Sequence, residues 1–308
     1  MRTAFIESLF KLAQSDDRIM LIVGDLGFGV VEPFRTAFPK QFLNAGVAEQ
    51  NMTGLAVGMA LSGKIVFTYS IANFPILRCL EQIRNDICYH NANVKVVSVG
   101  GGMAYGAVGV THHATEDLAI MRALPSIKII APNDPVETRL ATRTAALNAG
   151  PYYLRLGRSG EPTIHKTDSL LDIDKPILMR EGRDLTLMTT GGLLYNVLQA
   201  ADILAQKGLK SRVLSIPTIK PLDATAVIAA AMETKAIITV EEHTIYGGLG
   251  GAVAEILLES QARAFRFKRI GLDQGFSSVV GDQTYLRSIY GLDATGIAAA
   301  AERVLYDK

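Results

Sequence analysis

The sequence predicts an α/β fold made of two consecutive three-layer domains, the first with a mainly parallel sheet and the second smaller. Three observations support this prediction. Short β-branched runs alternate with longer amphipathic segments, which is typical of a parallel sheet covered by helices on both faces. One polar stretch interrupts the alternation, and a length of 308 residues suits two hydrophobic cores better than one.

The first domain is predicted at residues 1–165, where five apolar runs have the length and composition of strands. These runs are 19-IMLIV-23, 64-KIVFTY-69, 94-VKVVSV-99, 127-IKII-130 and 152-YYLRL-156. Their nearly continuous apolar character predicts strands that are buried on both faces. The segment 81-EQIRNDICYH-90 has isoleucines four residues apart and predicts an amphipathic packing helix.

The polar stretch predicts a linker at residues 166–182. The surrounding region 157–176 is rich in Gly, Pro, Ser, Thr and Asp, which favours an irregular connection. A second domain is predicted at residues 183–308. Its expected strands are 185–190, 212–216 and 236–240, and its expected helices span 194–207 and follow 247-GGLGG-251.

The charge balance and the cysteine content argue against several classes of protein. Lysine and arginine total 31 and aspartate and glutamate 30, so no overall field favours nucleic acid or an anionic membrane. No apolar run approaches the roughly 20 residues of a membrane-spanning helix, and the N-terminus lacks the pattern of a signal peptide. Cys79 and Cys88 form no CxxC pair, so neither a disulfide framework nor a structural zinc site is expected. These features predict a cytoplasmic protein without a metal site of its own.

Three glycine-rich stretches are candidates for ligand binding: 24-GDLGFG-29, 100-GGGMAYGAVG-109 and 247-GGLGG-251. None is a P-loop, because no GK[ST] follows at the required spacing. GGLGG stands about six residues after its strand, so an ordinary loop and helix start is favoured over a dinucleotide fingerprint. The stretch 100–109 follows a strand at the carboxyl edge of the sheet, which predicts a ligand-facing loop.

A few polar side chains suggest chemistry but leave alternatives open. Glu49 lies among small and apolar residues, so its charge needs a partner. His112, in 111-THHATED-117, fits either a catalytic or substrate-binding role or a hydrogen bond to a loop carbonyl, and the adjacent His113 points elsewhere, which argues against a shared metal. Arg155 and Arg158 leave one strand together and are either surface residues or bidentate ligands of an anion.

Four segments, taken in order, carry a resemblance to a known family. The strings 46-GVAEQNMTGLAVGMA-60, 69-YSIANFPILRCLEQIRND-86, 109-GVTHHATEDLAIMRALPSIKIIAPND-134 and 236-AIITVEEHTIYGGLGGAVAEIL-257 resemble the C-terminal half of transketolase and of deoxyxylulose-phosphate synthase. The resemblance implies a pyrimidine-binding domain followed by the small C-terminal domain of that family. It also implies thiamine diphosphate as the cofactor and transfer of a two-carbon ketol unit from a ketose to an aldose.

The metal-binding half of the family is not matched. GDLG at residues 24–27 is not the GDG motif with downstream asparagines that holds Mg²⁺ and the diphosphate. The resemblance therefore implies the C-terminal subunit of a split transketolase, with a partner N-terminal subunit that supplies these ligands in an α₂β₂ assembly. Two alternatives stay open: the β subunit of a 2-oxo-acid dehydrogenase E1, and a non-catalytic regulatory paralogue.

The resemblance also implies roles for individual residues. The glutamate that Glu49 matches hydrogen-bonds N1′ of the cofactor's aminopyrimidine and takes part in proton transfer, whereas the alternative is a charge that serves only a helix dipole. Ile71 and Phe74 match the apolar wall beneath the pyrimidine, and Asp25 matches an aspartate that lines the cofactor pocket. His112 matches a histidine expected to contact the donor carbonyl or the enediolate formed after cleavage, and Arg2, Arg78 and Arg158 resemble arginines that bind substrate phosphate.

Two departures from the family pattern concern the substrate. An acceptor-binding aspartate of common transketolases corresponds to Val108, and a further histidine falls near Gly100 and is missing. The acceptor channel thus loses two polar groups, which suggests a ketose donor or an aldehyde acceptor other than the usual pentose phosphates.

Overall fold

A computed structural model describes residues 1–167, 171–260, 266–273 and 275–306. Two sheets, each mainly parallel, are covered by helices on both faces, which confirms the predicted α/β class. None of the described helices is both long and apolar enough to span a membrane.

The first sheet contains seven strands among the described residues. The strands are β1 Ile19–Val23, β2 Phe42–Asn44, β3 Ile65–Ile71, β4 Val94–Val99, β5 Lys128–Ile130, β6 Tyr152–Leu156 and β10 Thr218–Lys220. Their order in the sheet is β10-β5-β6-β4-β3-β1-β2, and all neighbours are parallel except β10, which runs antiparallel to β5. Every residue of β1, β4 and β6 is buried, as their apolar composition predicts.

Helices cover both faces of the first sheet. They are α1 Arg2–Ala13, α2 Glu32–Ala37, α3 Glu49–Leu61, α4 Asn73–Leu77, α5 Leu80–Gln82, α6 Asp117–Ala123 and α7 Pro135–Leu147, with a π-helical turn at Ile83–Cys88 and a 3₁₀ turn at Gly106–Val108. Phe5, Phe34 and Phe67 belong to one core cluster of this domain, and Met52 and Ile76 belong to another. The segment 81–90 is thus α5 and a π-helical turn, and its isoleucines are buried as predicted.

The second sheet contains five strands within the described ranges. They are β7 Ile177–Arg180, β8 Leu185–Thr189, β9 Ser211–Ser215, β11 Ala236–Thr244 and β12 Arg266–Leu272, in the order β12-β11-β8-β9-β7. The helices are α8 Leu194–Gln206, α9 Ala224–Glu233, α10 Leu249–Glu259, α11 Gln283–Ile289 and α12 Ala294–Tyr306. GGLGG is a loop followed by a helix start, as favoured from the sequence, since α10 begins at Leu249. The buried carboxylate of Glu241 accepts hydrogen bonds from Leu249 N and Gly250 N, at 2.7 and 2.8 Å, and so satisfies the first N–H groups of the helix.

Four strands, β2, β7, β10 and β12, were not predicted from the sequence. Each lies at an edge of its sheet, where one side of the strand needs no partner and mixed polarity is tolerated. β7 lies inside the range predicted as the linker yet pairs with β9, and β10 follows the second domain's β9 in sequence yet extends the first sheet. Residues 168–170 of the predicted linker lie outside the described residues, and the boundaries 1–165, 166–182 and 183–308 stay predictions.

Buried polar contacts join the two domains. The Arg155 side chain on β6 donates from Nε to Asp117 Oδ2 at 2.8 Å. Its Nη2 donates to the carbonyl oxygens of Ala114 and Glu242, at 2.8 and 3.0 Å, and Glu242 belongs to β11 of the second sheet. This arginine, a candidate anion ligand from the sequence, is therefore fully engaged inside the protein.

Candidate functional site

Loops at the carboxyl ends of β1, β3, β4 and β6 meet on one side of the first sheet. This edge is where open parallel sheets bind ligands, because the loops there diverge and leave a crevice. The loop after β1 contains residues 24–29, the loops after β4 and β6 contain residues 100–112 and 157–160, and β3 leads through Ala72 directly into α4. All the site residues implied by the sequence lie in these loops, in the adjoining strand ends, in the neighbouring helices α1, α3 and α4, or, for Arg78, directly after α4.

Glu49 is the first residue of α3 and is 3% exposed. Its Oε2 accepts a hydrogen bond from Arg78 Nη1 at 3.0 Å, and Oε1 accepts one from Ser70 Oγ at 3.4 Å. The helix N-terminus also favours a negative charge at this position. The buried carboxylate thus has a cationic partner, which the sequence had required without identifying it.

Phe74 and Arg78 form a stacked pair beside this carboxylate. The guanidinium Cζ lies 4.4 Å from the centre of the Phe74 ring, within range of a cation–π contact. The ring of His112 meets Phe74 edge-on, with the ring centres 5.2 Å apart. A planar nitrogen-bearing group therefore fits between the Glu49 carboxylate and the Phe74 ring.

The two adjacent histidines have different environments. His113 is buried, and its Nε2 hydrogen-bonds the Gly106 carbonyl at 2.9 Å, so it satisfies the structural alternative. His112 is half-buried and contacts Thr111 Oγ1 through Nδ1 at 2.9 Å. Burial, followed by the charges of His113 and Arg78, lowers the pKa of His112 below its ordinary value. His112 is thus a neutral imidazole at pH 7 that can donate one hydrogen bond and accept another.

A cavity of about 180 Å³ lies next to this cluster and is rich in hydrogen-bond donors. Arg2, Arg158, Ser70 and Tyr105 are among its lining residues. Arg2 Nε is buried and has no hydrogen-bond partner within the part of the chain that the structure describes. Two guanidinium groups, one with an unsatisfied donor, make this cavity suited to an anion.

Tyr105 is a lining residue that the sequence did not single out. Gly100 has a φ of +90°, and a Cβ at this position would overlap the ring of Tyr105, so only glycine leaves room for the ring. The Arg158 guanidinium lies 5.0 Å from the ring centre. Burial raises the pKa of Tyr105 despite the opposing charges of Arg158 and Arg2, so its hydroxyl remains a donor. The only signal in the sequence is one aromatic residue within 100-GGGMAYGAVG-109.

The remaining candidates lie around the opening. Ile71 lines the donor-rich cavity. Asp25 is exposed at the end of β1, where its Oδ1 accepts from Asn44 Nδ2 at 2.8 Å, and no described contact joins it to the Glu49 cluster. Val108, the position of the missing acidic group, is exposed. The structure thus brings Glu49, Phe74, Arg78 and His112 into one cluster, places Arg2, Arg158 and Ile71 at the adjacent cavity, and leaves Asp25 apart.

No group of three His, Cys, Asp or Glu side chains in the described ranges could hold a metal ion. What the arrangement offers is a shielded carboxylate, an aromatic wall, a neutral imidazole and two guanidinium groups.

Comparisons with known proteins identify the family to which both domains belong. Residues 1–162 match the family model "Transketolase, pyrimidine binding domain", and residues 175–300 match "Transketolase, C-terminal domain". The chain is 37% identical to one of the subunits of the apulose-4-phosphate transketolase of Phocaeicola vulgatus, covering 97% of this chain and 96% of that protein. It is 36% identical to the 6-deoxy-6-sulfo-D-fructose transketolase subunit SqwH of a Clostridium species, covering 99% and 94%. A solved structure described as "Split gene transketolase, inactive beta4 tetramer" matches with a TM-score of 0.88 and 36% identity, over 99% of this chain and 97% of that chain.

Proposed function

Because the chain belongs to the transketolase family, we propose that it is the C-terminal subunit of a split, thiamine-diphosphate-dependent transketolase. Its assembly transfers a two-carbon ketol unit from a ketose to an aldose. The observation that supports this most directly is the slot between the buried Glu49 carboxylate and the Phe74 ring, which already holds one planar nitrogen group, the guanidinium of Arg78.

The residues present fit the aminopyrimidine end of the cofactor. Glu49 would bond N1′ of the ring, and Phe74 and Ile71 would provide the apolar wall. When bound, thiamine diphosphate supplies the carbon that attacks the ketose carbonyl and stabilises the negative charge left by bond cleavage. The described residues offer no metal cluster for the diphosphate end, so we assign the Mg²⁺ and diphosphate ligands to a partner subunit.

Glu49 has the chemical task of holding and moving a proton at N1′. A carboxyl group shielded from water can share a proton with a ring nitrogen and shift the ring between its tautomers. Burial of the side chain and the packing of Ser70 against Oε1 keep the other oxygen aimed at one position. Asp25 keeps its proposed place in the wider cofactor pocket, although it is more distant from this proton transfer.

Substrate binding is assigned to the donor-rich cavity and to His112. Arg2 and Arg158 would hold an anionic group of the sugar, because guanidinium forks bind oxyanions in two places. The neutral imidazole of His112 would donate a hydrogen bond to the carbonyl oxygen of the donor. The names of the two relatives include a phosphate in one case and a sulfo group in the other, and both classes of anion suit this cavity.

Exposed apolar side chains near the site support a partner. Phe28, Val47, Leu77 and Val108 are each at least half exposed. Phe28 lines the cavity, Val47 precedes α3, and Leu77 precedes Arg78. Apolar surface of this kind marks a protein interface, and we propose that the N-terminal subunit covers it in an α₂β₂ assembly.

The experiment that tests this proposal compares the chain alone with its assembly. The gene next to this one should encode the N-terminal subunit, and the two chains are co-expressed and purified together. We expect the assembly to bind thiamine diphosphate in the presence of Mg²⁺ by calorimetry and to turn over ketoses, whereas the chain alone binds it poorly. Micromolar, Mg²⁺-dependent binding by the chain alone would contradict the split-subunit proposal, and CO₂ release from 2-oxo acids would favour the dehydrogenase alternative.

A further inference from the structure

Arg78 contacts both surfaces that the proposed function assigns to the aminopyrimidine. Its Nη1 donates to Glu49 Oε2 at 3.0 Å, and its Cζ lies 4.4 Å from the centre of the Phe74 ring. A guanidinium donates hydrogen bonds in its plane and stacks on aromatic rings through its face, as an aminopyrimidine does. We propose that Arg78 is a positioning residue for Glu49 whose guanidinium and the cofactor's ring occupy the same slot in turn. The inference rests on the proposed function.

The two partners of this ion pair differ in their freedom to move. The Glu49 side chain is 2% exposed and lies at the start of a helix, whereas the Arg78 side chain is 52% exposed. The other carboxylate oxygen of Glu49 faces Ser70 Oγ. A ring that enters the slot therefore displaces the guanidinium and leaves the carboxylate in place.

The ion pair with Arg78 compensates the buried charge of Glu49 when the slot holds no cofactor. A buried carboxylate without a partner is strongly destabilising. A partner with half of its side chain in water compensates the charge but holds it weakly, since exposed ion pairs contribute little. Arg78 thus fixes the orientation of the Glu49 carboxylate and balances its charge, and a ligand that donates its own hydrogen bond to the carboxylate can displace the guanidinium.

Competition for one slot predicts a gain of cofactor affinity when the guanidinium is removed. Arg78→Met keeps most of the stem and deletes the charge. Arg84→Met is the matched control, because Arg84 is an exposed arginine on the following π-helical turn that hydrogen-bonds Asn85. Both substitutions remove one positive charge from the protein, so its net charge changes equally in the two variants.

The first measurement is calorimetric titration of the assembled enzyme with thiamine diphosphate and Mg²⁺. We expect the Kd to fall about two- to tenfold in Arg78→Met, which is the range for releasing a weak ion pair, and to stay unchanged in Arg84→Met. A higher Kd in Arg78→Met would show that the arginine holds the cofactor. An unchanged Kd would show that the two do not compete, and either result would overturn the inference.

The second measurement uses the chain alone and needs no cofactor. Urea unfolding is followed for the wild-type chain, Arg78→Met, Glu49→Gln and the double variant. We expect the effect of Arg78→Met on the unfolding midpoint to vanish when Glu49 is Gln, because the ion pair is already broken. If the two substitutions have additive effects on the unfolding midpoint while the assembly binds the cofactor normally, the inference about Arg78 is wrong and the proposed function stands. Absence of cofactor binding in every assembly, with the coupling intact, would overturn the proposed function and the competition with it.

Discussion

Two arginine–carboxylate pairs in the first domain have the same chemistry and opposite surroundings. Arg155 and Asp117 meet at 2.8 Å with side chains that are 1% and 2% exposed. Arg78 and Glu49 meet at 3.0 Å, but the arginine is 52% exposed while the carboxylate is 2% exposed. The difference lies almost entirely in how much water reaches the cation.

That difference separates a structural pair from one that a ligand can open. The remaining hydrogen bonds of Arg155 go to carbonyl oxygens on a loop and on the second sheet, so the residue cannot leave without stranding several buried groups. Arg78 has no such network among the described residues and can turn into solvent. A buried carboxylate is therefore a candidate catalytic group only where its cation is replaceable.

The largest expected effect concerns the pair with the exposed arginine, Arg78 and Glu49. Glu49→Gln in the assembled enzyme should lower turnover by about two to four orders of magnitude, because the amide cannot pass a proton to N1′. The measurement is steady-state turnover together with hydrogen–deuterium exchange at C2 of the bound cofactor. Folding should be retained, since the replacement is nearly isosteric, and wild-type exchange and turnover would reduce Glu49 to a helix-terminal charge.

The next largest effect concerns the buried pair, Arg155 and Asp117. Arg155→Met should lower the free energy of unfolding by about 3–5 kcal/mol, because it leaves the Asp117 charge buried without its cationic partner. Arg78→Met is the matched comparison and should lower it by only about 1 kcal/mol, because loss of a side chain that is 52% exposed lets water reach the Glu49 carboxylate in its place. Urea unfolding of the chain alone gives both values. Equal losses in the two variants would end the distinction drawn between the pairs.

A third effect concerns the wall of the open cavity. Gly100→Ala should lower the free energy of unfolding by at least about 2 kcal/mol, because the alanine would have a left-handed backbone conformation and its Cβ would overlap the Tyr105 ring. In a Tyr105→Ala background the overlap is absent, and only the backbone strain should remain. Unfolding free energies of the two single variants and the double variant measure this coupling. Equal costs of Gly100→Ala in both backgrounds would mean that the ring does not occupy this space.

The smallest effect is a pH dependence at a second buried cluster between the domains. Burial raises the pKa of Glu137 to about 7, against a hydrogen bond from Ser215 that lowers it. Burial lowers the pKa of His165, but the hydrogen bond to Asp134 and the charges of Glu137 and Asp134 together outweigh burial and raise this pKa above its ordinary value. The folded state therefore binds protons more tightly at both groups, and their stabilisation is complete at acidic pH and lost as the pH rises through the raised pKa values.

The corresponding measurement is the free energy of unfolding between pH 5 and pH 8. We expect it to fall by about 1–2 kcal/mol as the pH rises across this window. Glu137→Gln should flatten the profile, because one of the two titrating groups is gone. A profile of the same slope in this variant would assign the pH dependence to another group.

The sequence by itself determined the central strands and the location of the candidate site. Strands such as Ile19–Val23 are apolar along their whole length because both faces are covered, and that pattern is local. Glu49 was identifiable because a charge at the start of an apolar helix is a local anomaly, and the order of motifs around it indicated the family.

The tertiary structure alone decided which groups meet. Edge strands such as Thr218–Lys220 pair with residues that are distant in sequence, so no local sequence pattern predicts them. Four arginines were indistinguishable as candidate anion ligands, yet Arg155 is locked between the domains, Arg78 pairs with Glu49, and Arg2 and Arg158 line the cavity. Periodicity and motifs record the environment along the chain, whereas the partner of a buried charge depends on where the chain brings distant segments together.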